Sequence, residues 1–234
     1  MKNQKTIIIS LGGSIICPRP GEINTRFLKK FRKLILKYIK RGFRFIIVAG
    51  GGKICRVYQK AAAKITKLPY EDMDWLGIHT TRLNAHLLRT IFRKEACPVV
   101  FDNPFKKISR DYQKKSIIIA SGWRPGWSTD FVSVLLAKRF KVKEIINAGN
   151  IPFAYSKDPM RYKKAIPIKK ISWENYRKLV GSKWIPGLST PFDPIASKEA
   201  QKLKIRAIIT LGTDLKNFEK VLLGRKFRGT IVEP

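Results

Sequence analysis

Apolar and polar positions follow two different periods along the chain. Short continuous apolar runs, which predict buried strands, cover residues 6–11, 43–49, 98–101, 116–120, 144–147, 205–211 and 230–232. Apolar residues that recur every three or four positions predict helices over residues 27–39, 53–64, 75–93, 130–139, 173–180, 194–203 and 215–223. Strands separated by helices favour parallel pairing, with helices on both faces of the sheet. We therefore predict an α/β fold, a three-layer α/β/α sandwich with a largely parallel central sheet.

The chain contains no internal repeat, low-complexity tract or long linker. Its 234 residues are enough for one α/β domain with a sizeable core. Residues 142–171 contain Pro152, Pro159 and Pro167, which indicates a more irregular second half. We expect a single domain over residues 1–234, with an N-terminal lobe up to about residue 140 and a C-terminal lobe from about residue 141.

The charge departs most from the average protein. Lys and Arg number 49 against 16 Asp and Glu, which gives a net charge of +33 and a pI near 10.4. Such a field attracts polyanions and phosphorylated metabolites, but it carries no information about the fold. The basic residues are spread over the whole chain, so a nucleic-acid partner has no support beyond charge.

Cysteine usage and hydropathy indicate a compartment. Cys17, Cys55 and Cys97 are odd in number and far apart, so they predict neither a disulfide framework nor a metal site. No apolar stretch reaches the length of a membrane span. We expect a cytoplasmic protein with no membrane association.

Two glycine turns follow predicted strands and indicate anion sites. The first is Ser10-Leu11-Gly12-Gly13-Ser14, and the second is Gly50-Gly51-Gly52-Lys53, with Arg56 one helical turn on. Glycines let a backbone approach a phosphate closely, and a helix N-terminus favours an anion. The second turn is not a Walker P-loop, because that pattern needs glycine at position 47 and Ser or Thr at position 54, and both hold isoleucine. A tight surface turn and a solvated basic helix remain the alternatives.

A third turn carries aromatic and polar groups. Ser121-Gly122-Trp123-Arg124-Pro125-Gly126-Trp127-Ser128-Thr129-Asp130 lies between a strand and a helix. Ser128 or Thr129 can cap that helix, with Asp130 in its first turn. Exposed tryptophans and a guanidinium suit a ligand with a flat base and a phosphate. Asp74 can cap a helix or accept two hydrogen bonds from a ribose diol. His79 and His86 lack further ligands at metal-binding spacing, so we predict no metal site.

These motifs, in this order, resemble the amino-acid kinase superfamily. The motifs are the GGS turn, GGGK-x-x-R, D-x-x-G-I-x-x-T-R-x-N-A from Asp74, and PG-x-S-T-D from Pro125. Within the superfamily, the chain is similar to uridylate (UMP) kinases of the archaeal type. The resemblance continues through Tyr155-Ser156-Lys157-Asp158-Pro159, Phe192-Asp193-Pro194 and the closing Gly229-Thr230-Ile231-Val232-Glu233-Pro234, and so covers nearly the whole chain.

The resemblance implies phosphorylation of UMP to UDP by ATP with Mg²⁺, without a Walker loop. It implies an acceptor-binding N-terminal lobe, an ATP-binding C-terminal lobe and a homo-oligomer, a hexamer by analogy. The implied UMP-binding residues are Gly51, Asp74, Trp123, Arg124, Pro125, Gly126, Trp127, Ser128 and Thr129. The implied ATP-binding residues are Gly13, Ser14, Gly52, Arg56, Asn150, Tyr155 and Asp158. The implied catalytic residues are Arg56, Lys53 and Asp193.

The chain departs from the family pattern at three places. Ser10 occupies a position that holds lysine in many members. Gly149, Pro152 and Phe153 replace a threonine, an aspartate and a glycine of the donor loop, while the third turn has exchanged a threonine and two histidines for Trp123, Arg124 and Trp127. Two alternatives therefore stay open. One is a sister kinase with another acceptor, which the absence of a histidine near the glycine turns disfavours. The other is a catalytically weak nucleotide- or nucleic-acid-binding protein on the same scaffold.

Overall fold

A computed structural model describes residues 5–109, 114–181 and 190–234. The strands within these ranges are β1 (Thr6–Leu11), β2 (Arg44–Ala49), β3 (Ile117–Ala120), β4 (Glu144–Gly149), β5 (Ala154–Tyr155), β6 (Pro167–Ile168), β7 (Lys170–Ser172), β8 (Arg206–Leu211) and β9 (Thr230–Glu233). The helices within them are α1 (Gly13–Ile16), α2 (Thr25–Ile39), α3 (Gly52–Ile65), α4 (Tyr70–Ile91), α5 (Thr129–Arg139), α6 (Trp173–Val180), α7 (Pro194–Lys202) and α8 (Leu215–Leu222).

The central sheet has the order β3-β2-β1-β4-β8-β9-β7. All neighbours in it pair parallel except β8 and β9, which pair antiparallel. Strands β5 and β6 form a separate two-residue ladder. The predicted α/β class with a largely parallel sheet is confirmed.

Each face of the sheet has its own core, because successive side chains of a strand point to opposite faces. Ile7, Ile9 and Leu11 of β1 belong to the core that packs against α1, α2, α4 and α8. Ile8 belongs to the core that packs against α5, α6 and α7. Helix, sheet and helix thus form the three predicted layers. Helix α3 stands apart, since Gln59 is its one buried residue.

Two element predictions were wrong. Residues 98–101 form no strand; instead, bridges at Ala96 and Phe101 join this segment to β3. Pro98 has no N–H to donate, which breaks a continuous ladder. Helix α4 begins at residue 70 and not at 75, because Pro69 caps it in an extended conformation and acidic residues occupy its first turn. The short strands β5, β6 and β7 were not predicted.

The chain order places a crevice at the carboxyl ends of β1 and β4. The first three strands proceed from β1 towards β3, and the chain then returns to the other side of β1 with β4. In open parallel sheets, ligands bind at the carboxyl edge where the strand order reverses. No helix in the described ranges has the length and apolar character needed to cross a membrane.

Candidate active site

The first two glycine turns contact each other backbone to backbone. A Cβ added to Gly13 would overlap the carbonyl oxygen of Gly50 and the backbone nitrogen of Gly52. Gly52 also has a φ of +74°, in the left-handed region that favours glycine. Close approach of two main chains is therefore the physical reason for glycine at these positions. The contact joins the end of β1 to the first residue of α3, a fourteen-residue helix.

Two cavities lie on either side of this contact. The α4 cavity has a volume of about 150 Å³ and is lined by Gly51, Gly52, Cys55, Arg56, Gln59, Asp74, Gly77, Ile78, Thr81, Gly122, Trp127, Ser128 and Thr129. The switch-point cavity has a volume of about 190 Å³ and is lined by Ser10, Gly12, Gly13, Ser14, Gly50, Gly51, Gly52, Arg56, Thr129, Asp130, Asn147, Gly149, Asn150, Ile151, Thr190, Pro191 and Ile209.

The two cavities share one wall. Gly51, Gly52, Arg56 and Thr129 line both of them. Two ligands that occupied the cavities would therefore meet at this wall, with Arg56 and the N-terminus of α3 beside the meeting point. Of the described lysines and arginines, Arg56 alone lines either cavity; Lys53 is exposed and lines neither. Positive charge and backbone N–H groups at such a point favour an anion.

Helix α4 holds the second and third turns in place. The Asn84 side-chain amide donates to the carbonyl oxygens of Gly50 at 2.7 Å and of Gly51 at 3.3 Å. The Thr81 hydroxyl accepts from the backbone N–H of Gly122 at 2.8 Å, while one oxygen of Asp74 accepts from the N–H of Gly126 at 2.6 Å. Asp74 lies inside the helix, so its interpretation as a helix cap was wrong. Its position on the wall of the α4 cavity is open to a ligand.

The third turn forms an aromatic cluster around a guanidinium. The Arg124 guanidinium carbon lies 4.3 Å from the ring centroid of Trp123 and 4.7 Å from that of Trp127. Trp127 packs edge-on against Phe131, with 4.0 Å between ring centroids, and it lines the α4 cavity. Cation–π contact of this kind fixes the turn before any ligand arrives. The turn itself needs Gly126, whose φ is +82°.

Two carboxylates lie next to each other near this wall: Asp130 is half-buried and lines the switch-point cavity, whereas Asp193 is buried and lines neither cavity. One oxygen of Asp130 accepts hydrogen bonds from the Ser10 hydroxyl and the Asn147 amide, each at 2.9 Å. Desolvation of the carboxyl group, together with the smaller effect of the nearby Asp193 carboxylate, raises the pKa of Asp130 to about 7. Burial also raises the pKa of Asp193, which accepts a short hydrogen bond from Ser128 and caps α7. Ser128, one of the two cap candidates in the sequence, caps α5.

The structure brings together part of the predicted site. Gly13, Ser14 and Asn150 line the switch-point cavity with Gly52 and Arg56. Some predicted residues line neither cavity: Lys53, Trp123, Arg124, Pro125, Gly126, Tyr155, Asp158 and Asp193.

Two of these, Tyr155 and Asp158, were predicted to bind ATP. Tyr155 is in β5, with its ring 6.3 Å from that of Phe153, and Asp158 is exposed and 3.5 Å from Arg161.

Sequence reasoning missed Asp130 as a site residue and treated it only as part of a helix first turn. Its partners Ser10 and Asn147 are 120 and 17 residues away. An Asp directly after a capping serine and threonine was the available signal. No group of three or more His, Cys, Asp or Glu in the described ranges could hold a metal ion.

Comparison with known proteins gives a consistent result. A model of the amino acid kinase family matches residues 5–211. The uridylate kinase of Thermococcus onnurineus is 34% identical over 230 residues, and that of Thermococcus sibiricus is 32% identical; each match covers 97% of this chain and 99% of the relative. The crystal structure of uridylate kinase from Archaeoglobus fulgidus superposes with a TM-score of 0.80 at 28% identity, covering 97% of this chain and 99% of that one.

Proposed function

Because the chain belongs to the amino acid kinase family, we propose that it transfers the γ-phosphoryl group of ATP to UMP, giving UDP and ADP. The observation that carries the proposal is the shared wall of Gly51, Gly52, Arg56 and Thr129 between two cavities. A kinase of this kind must bring two phosphate chains end to end. The shared wall is the place where both can be reached by the same cation and the same backbone amides.

The chemistry requires no general base. The acceptor is a phosphate oxygen of UMP that is already anionic at neutral pH, so it attacks the γ-phosphorus directly. The new O–P bond forms as the bond from the γ-phosphorus to the β,γ-bridging oxygen of ATP breaks, and the electron pair leaves with ADP. Alignment and charge stabilisation then supply the rate enhancement. The Arg56 guanidinium at the shared wall is suited to stabilise the transferring group, since it can contact two oxygens at once.

The cavities suggest which ligand binds where. We place UMP in the α4 cavity, with Asp74 accepting from its ribose hydroxyls and the turn from Trp123 to Thr129 around its phosphate and base. We place the ATP phosphates in the switch-point cavity, over Gly13, Ser14 and Gly52. Asn150, Tyr155 and Asp158 lie towards the ATP nucleoside in this arrangement. The acceptor lobe then extends to about residue 140 and the ATP lobe begins at about residue 141.

Asp193 takes a supporting role in the proposal. Its carboxylate accepts hydrogen bonds from the Ser128 hydroxyl and from two backbone N–H groups of α7. The N···O distances are 2.7 Å for Ile195 and 2.9 Å for Ala196. It thereby fixes the cap of α5, the helix whose first residue Thr129 lies in the shared wall. Lys53 is one turn before Arg56 on the same exposed helix end. Separate alanine substitutions of the two residues distinguish their contributions to the rate of UDP formation.

Mg²⁺ fits the site as an ion carried by ATP. Asp130 and Asp74 are the two carboxylates that line the cavities, and Asp130 already accepts from Ser10, Asn147 and the Asp193 N–H. Such a donor set suits an ion that keeps waters and phosphate oxygens as its main ligands. When bound, Mg²⁺ would neutralise charge on the phosphate oxygens of ATP.

We also propose a homo-oligomer. Val57, Tyr58 and Ile65 of α3 are 43, 56 and 86% exposed, and Tyr70 at the start of α4 is 67% exposed. A second copy that covered this apolar surface would remove it from water. Light scattering of the purified protein tests this, and a monomer at micromolar concentration would contradict it. The free cysteines agree with the reducing cytoplasm that we propose as its location.

The decisive experiment is a panel of acceptors. Purified protein with ATP and Mg²⁺ is offered each nucleoside monophosphate in turn, and product diphosphates are separated by anion-exchange chromatography. We expect UDP to form faster than any other diphosphate. Preferential turnover of a different phosphorylated acceptor would identify a sister kinase, whereas ATP binding without any turnover would identify a nucleotide-binding protein and overturn the proposal.

A further inference from the structure

A cleft larger than either cavity lies away from the glycine turns. It has a volume of about 720 Å³ and lies at the opposite, amino edge of the central sheet. Its walls come from the segments that lead into β1, β4 and β8, and from the end of β9. Strand β1 has six residues, so about 20 Å of strand separates this cleft from the candidate active site.

A row of cations follows the amino edge. Four adjacent strands, in the order β2, β1, β4 and β8, each have a basic residue at or just before their first position. These residues are Arg44, Lys5, Lys143 and Arg206. The backbone N–H of Arg44 donates to the Lys5 carbonyl at 3.0 Å, and that of Arg206 to the Lys143 carbonyl at 3.0 Å. With about 4.8 Å between neighbouring strands, the row is roughly 14 Å long.

Two further lysines line the same cleft in an unusual conformation. Lys141 and Lys204 have φ angles of 55° and 52°, and they are the two non-glycine residues of the described ranges with positive φ. Each follows a helix that ends in the same way: the N–H of Val142 donates to Ala137, and that of Ile205 to Ala200, both at 2.9 Å.

Glycine is the residue that this type of helix end favours. A lysine there costs about 1 kcal/mol in backbone strain. Contact between the two ammonium groups and a ligand in the cleft would explain why lysine, and not glycine, occupies these strained positions.

Acidic residues neutralise little of this charge. Glu144 pairs with Arg206, and Glu233 pairs with Lys170 at 2.5 Å. Lys141, Lys143 and Lys204 are exposed and have no carboxylate partner in the described part of the chain.

The row continues into a neighbouring cleft that shares Phe140 with the first. There the Nε and Nη2 atoms of Arg44 are buried and have no hydrogen-bond partner among the described residues. The same cleft contains Arg139, whose Nη1 and Nη2 atoms donate to the carbonyls of Pro104 and Lys106.

We propose that the amino edge of the sheet is a binding site for the phosphodiester backbone of a nucleic acid. The cleft is lined by Lys5, Lys141, Lys143, Lys204 and Arg206, and so offers cations to several successive phosphates, which a single nucleotide does not have. The site has no free aromatic platform for a base, because the one aromatic ring in the cleft, Phe140, is covered by the guanidiniums of Arg44 and Arg139. Contacts to phosphates alone predict binding that is independent of sequence and strongly dependent on salt.

The test uses the full-length protein and a fluorescent oligoadenylate of about 20 nucleotides, long enough to exceed the row. Anisotropy titrations at several salt concentrations compare wild type with the double variant Lys141→Gly/Lys204→Gly. The variant removes two charges while relieving the strain at both positions, so we expect an equal or higher unfolding temperature. We expect at least tenfold weaker binding at low salt. The slope of log affinity against log salt should fall in magnitude by about 1.4, which is 0.7 for each lost phosphate contact.

Two controls make the result specific. Lys29→Gln/Lys30→Gln removes the same charge from exposed positions on α2 and should change affinity less than twofold. Lys141→Arg/Lys204→Arg keeps the charge and should bind as wild type does. An equal loss in the α2 variant would show that net charge alone is responsible and overturn the proposal.

The kinase site is tested separately. UDP formation by the glycine variant should match wild type, so the two proposals fail independently. Saturating ATP and UMP should not displace the oligonucleotide, because the active site is at the other edge. A different outcome would contradict the nucleic-acid proposal: ATP displaces the oligonucleotide from the wild type but not from the glycine variant. That result would mean that the cleft binds nucleotides.

Discussion

The two edges of the central sheet carry different groups at the sites where we propose that anions bind. At the carboxyl edge, glycine turns bring main chains into contact, and Arg56 is the one basic residue of the described chain that lines the cavities there. At the amino edge, the groups that we propose for recognition are the ends of long lysine and arginine side chains. Backbone amides in contact with each other are held rigidly, whereas lysines adapt to a ligand and lose rotamer entropy when they bind. The first arrangement suits a reaction that depends on position, and the second suits attraction without precise placement.

The largest test of this difference is Arg56→Ala. We expect the rate of UDP formation to fall by about a thousandfold, since one cation serves the meeting point of both cavities. Lys53→Ala, three residues earlier on the same helix but outside both cavities, should change the rate less than threefold. Steady-state kinetics with saturating ATP and UMP measures both. Equal losses in the two variants would mean that general positive charge, and not the position of Arg56, drives the reaction.

Gly52→Ala tests whether the carboxyl edge depends on backbone contact. The added Cβ would come within 2.5 Å of the Gly13 carbonyl carbon, so the two turns must separate. We expect a loss of about a hundredfold in kcat/KM, because displacements of about 1 Å have effects of that size.

The matched control for this variant is Gly21→Ala. Gly21 has a φ of +77°, almost the same as that of Gly52, but a Cβ there meets nothing within 4 Å. Both variants carry the cost of a positive φ, which unfolding experiments measure. A Gly21 variant that lost as much activity would attribute the effect to backbone strain and remove the contact from the explanation.

Asp74→Ala tests the assignment of the α4 cavity to UMP. The carboxylate lines that cavity and accepts from the Gly126 N–H, so its loss removes a ligand contact and loosens the third turn. We expect the KM for UMP to rise about tenfold, in line with the loss of one hydrogen bond to a charged group. The KM for ATP should change less than twofold. Equal changes in both constants would place Asp74 outside the acceptor site.

The smallest expected effect concerns pH and the neighbouring carboxylates Asp130 and Asp193. The pKa of Asp130 rises from an ordinary 3.8 to about 7, so between these values the folded protein keeps a proton that the unfolded chain has released. The free energy of unfolding should therefore decrease as pH rises from about 4 to about 7. The contribution of Asp130 to this slope should be at most about 1.4 kcal/mol per pH unit.

Urea denaturation at a series of pH values measures this dependence. Asp130→Asn should make it shallower, because the replaced side chain no longer titrates; Asp193, whose pKa burial also raises, still contributes in the same direction. Asp102→Asn, which removes a surface carboxylate paired with Lys106, should leave the slope unchanged. A stability that rises through this range in the wild type would contradict the prediction.

The local pattern of apolar residues and glycines in the sequence was sufficient to predict most of the fold. Strand β1 was predicted with its observed bounds, because an apolar run ends there at two glycines. The strand predicted over residues 98–101 was wrong, since apolar character alone does not reveal that Pro98 prevents a continuous ladder of hydrogen bonds. The early start of α4 was missed although Pro69, Glu71 and Asp72 together form a start signal.

The local sequence pattern predicted less of the candidate site than of the fold. The glycine turns were identified because their chemistry is contained in a few adjacent residues. Asp130 was missed because its environment depends on Ser10, 120 residues away, and on Asp193, 63 residues away. The positive φ of Lys141 and Lys204 was invisible for a similar reason, since it follows from how two helices end against the sheet. Features that depend on tertiary neighbours require the structure.

Helix α4 also limits how this protein could be redesigned. Its Asp74 end faces the cavity that we assign to the acceptor, while Asn84, ten residues later, holds the carbonyls of Gly50 and Gly51. The same helix therefore affects both the choice of acceptor and the geometry of phosphoryl transfer. A designer who wants a new acceptor can replace side chains near Asp74, but a shift or kink of the helix axis would move the glycine turn as well. Variation along this helix should be free in side-chain chemistry and restricted in backbone position.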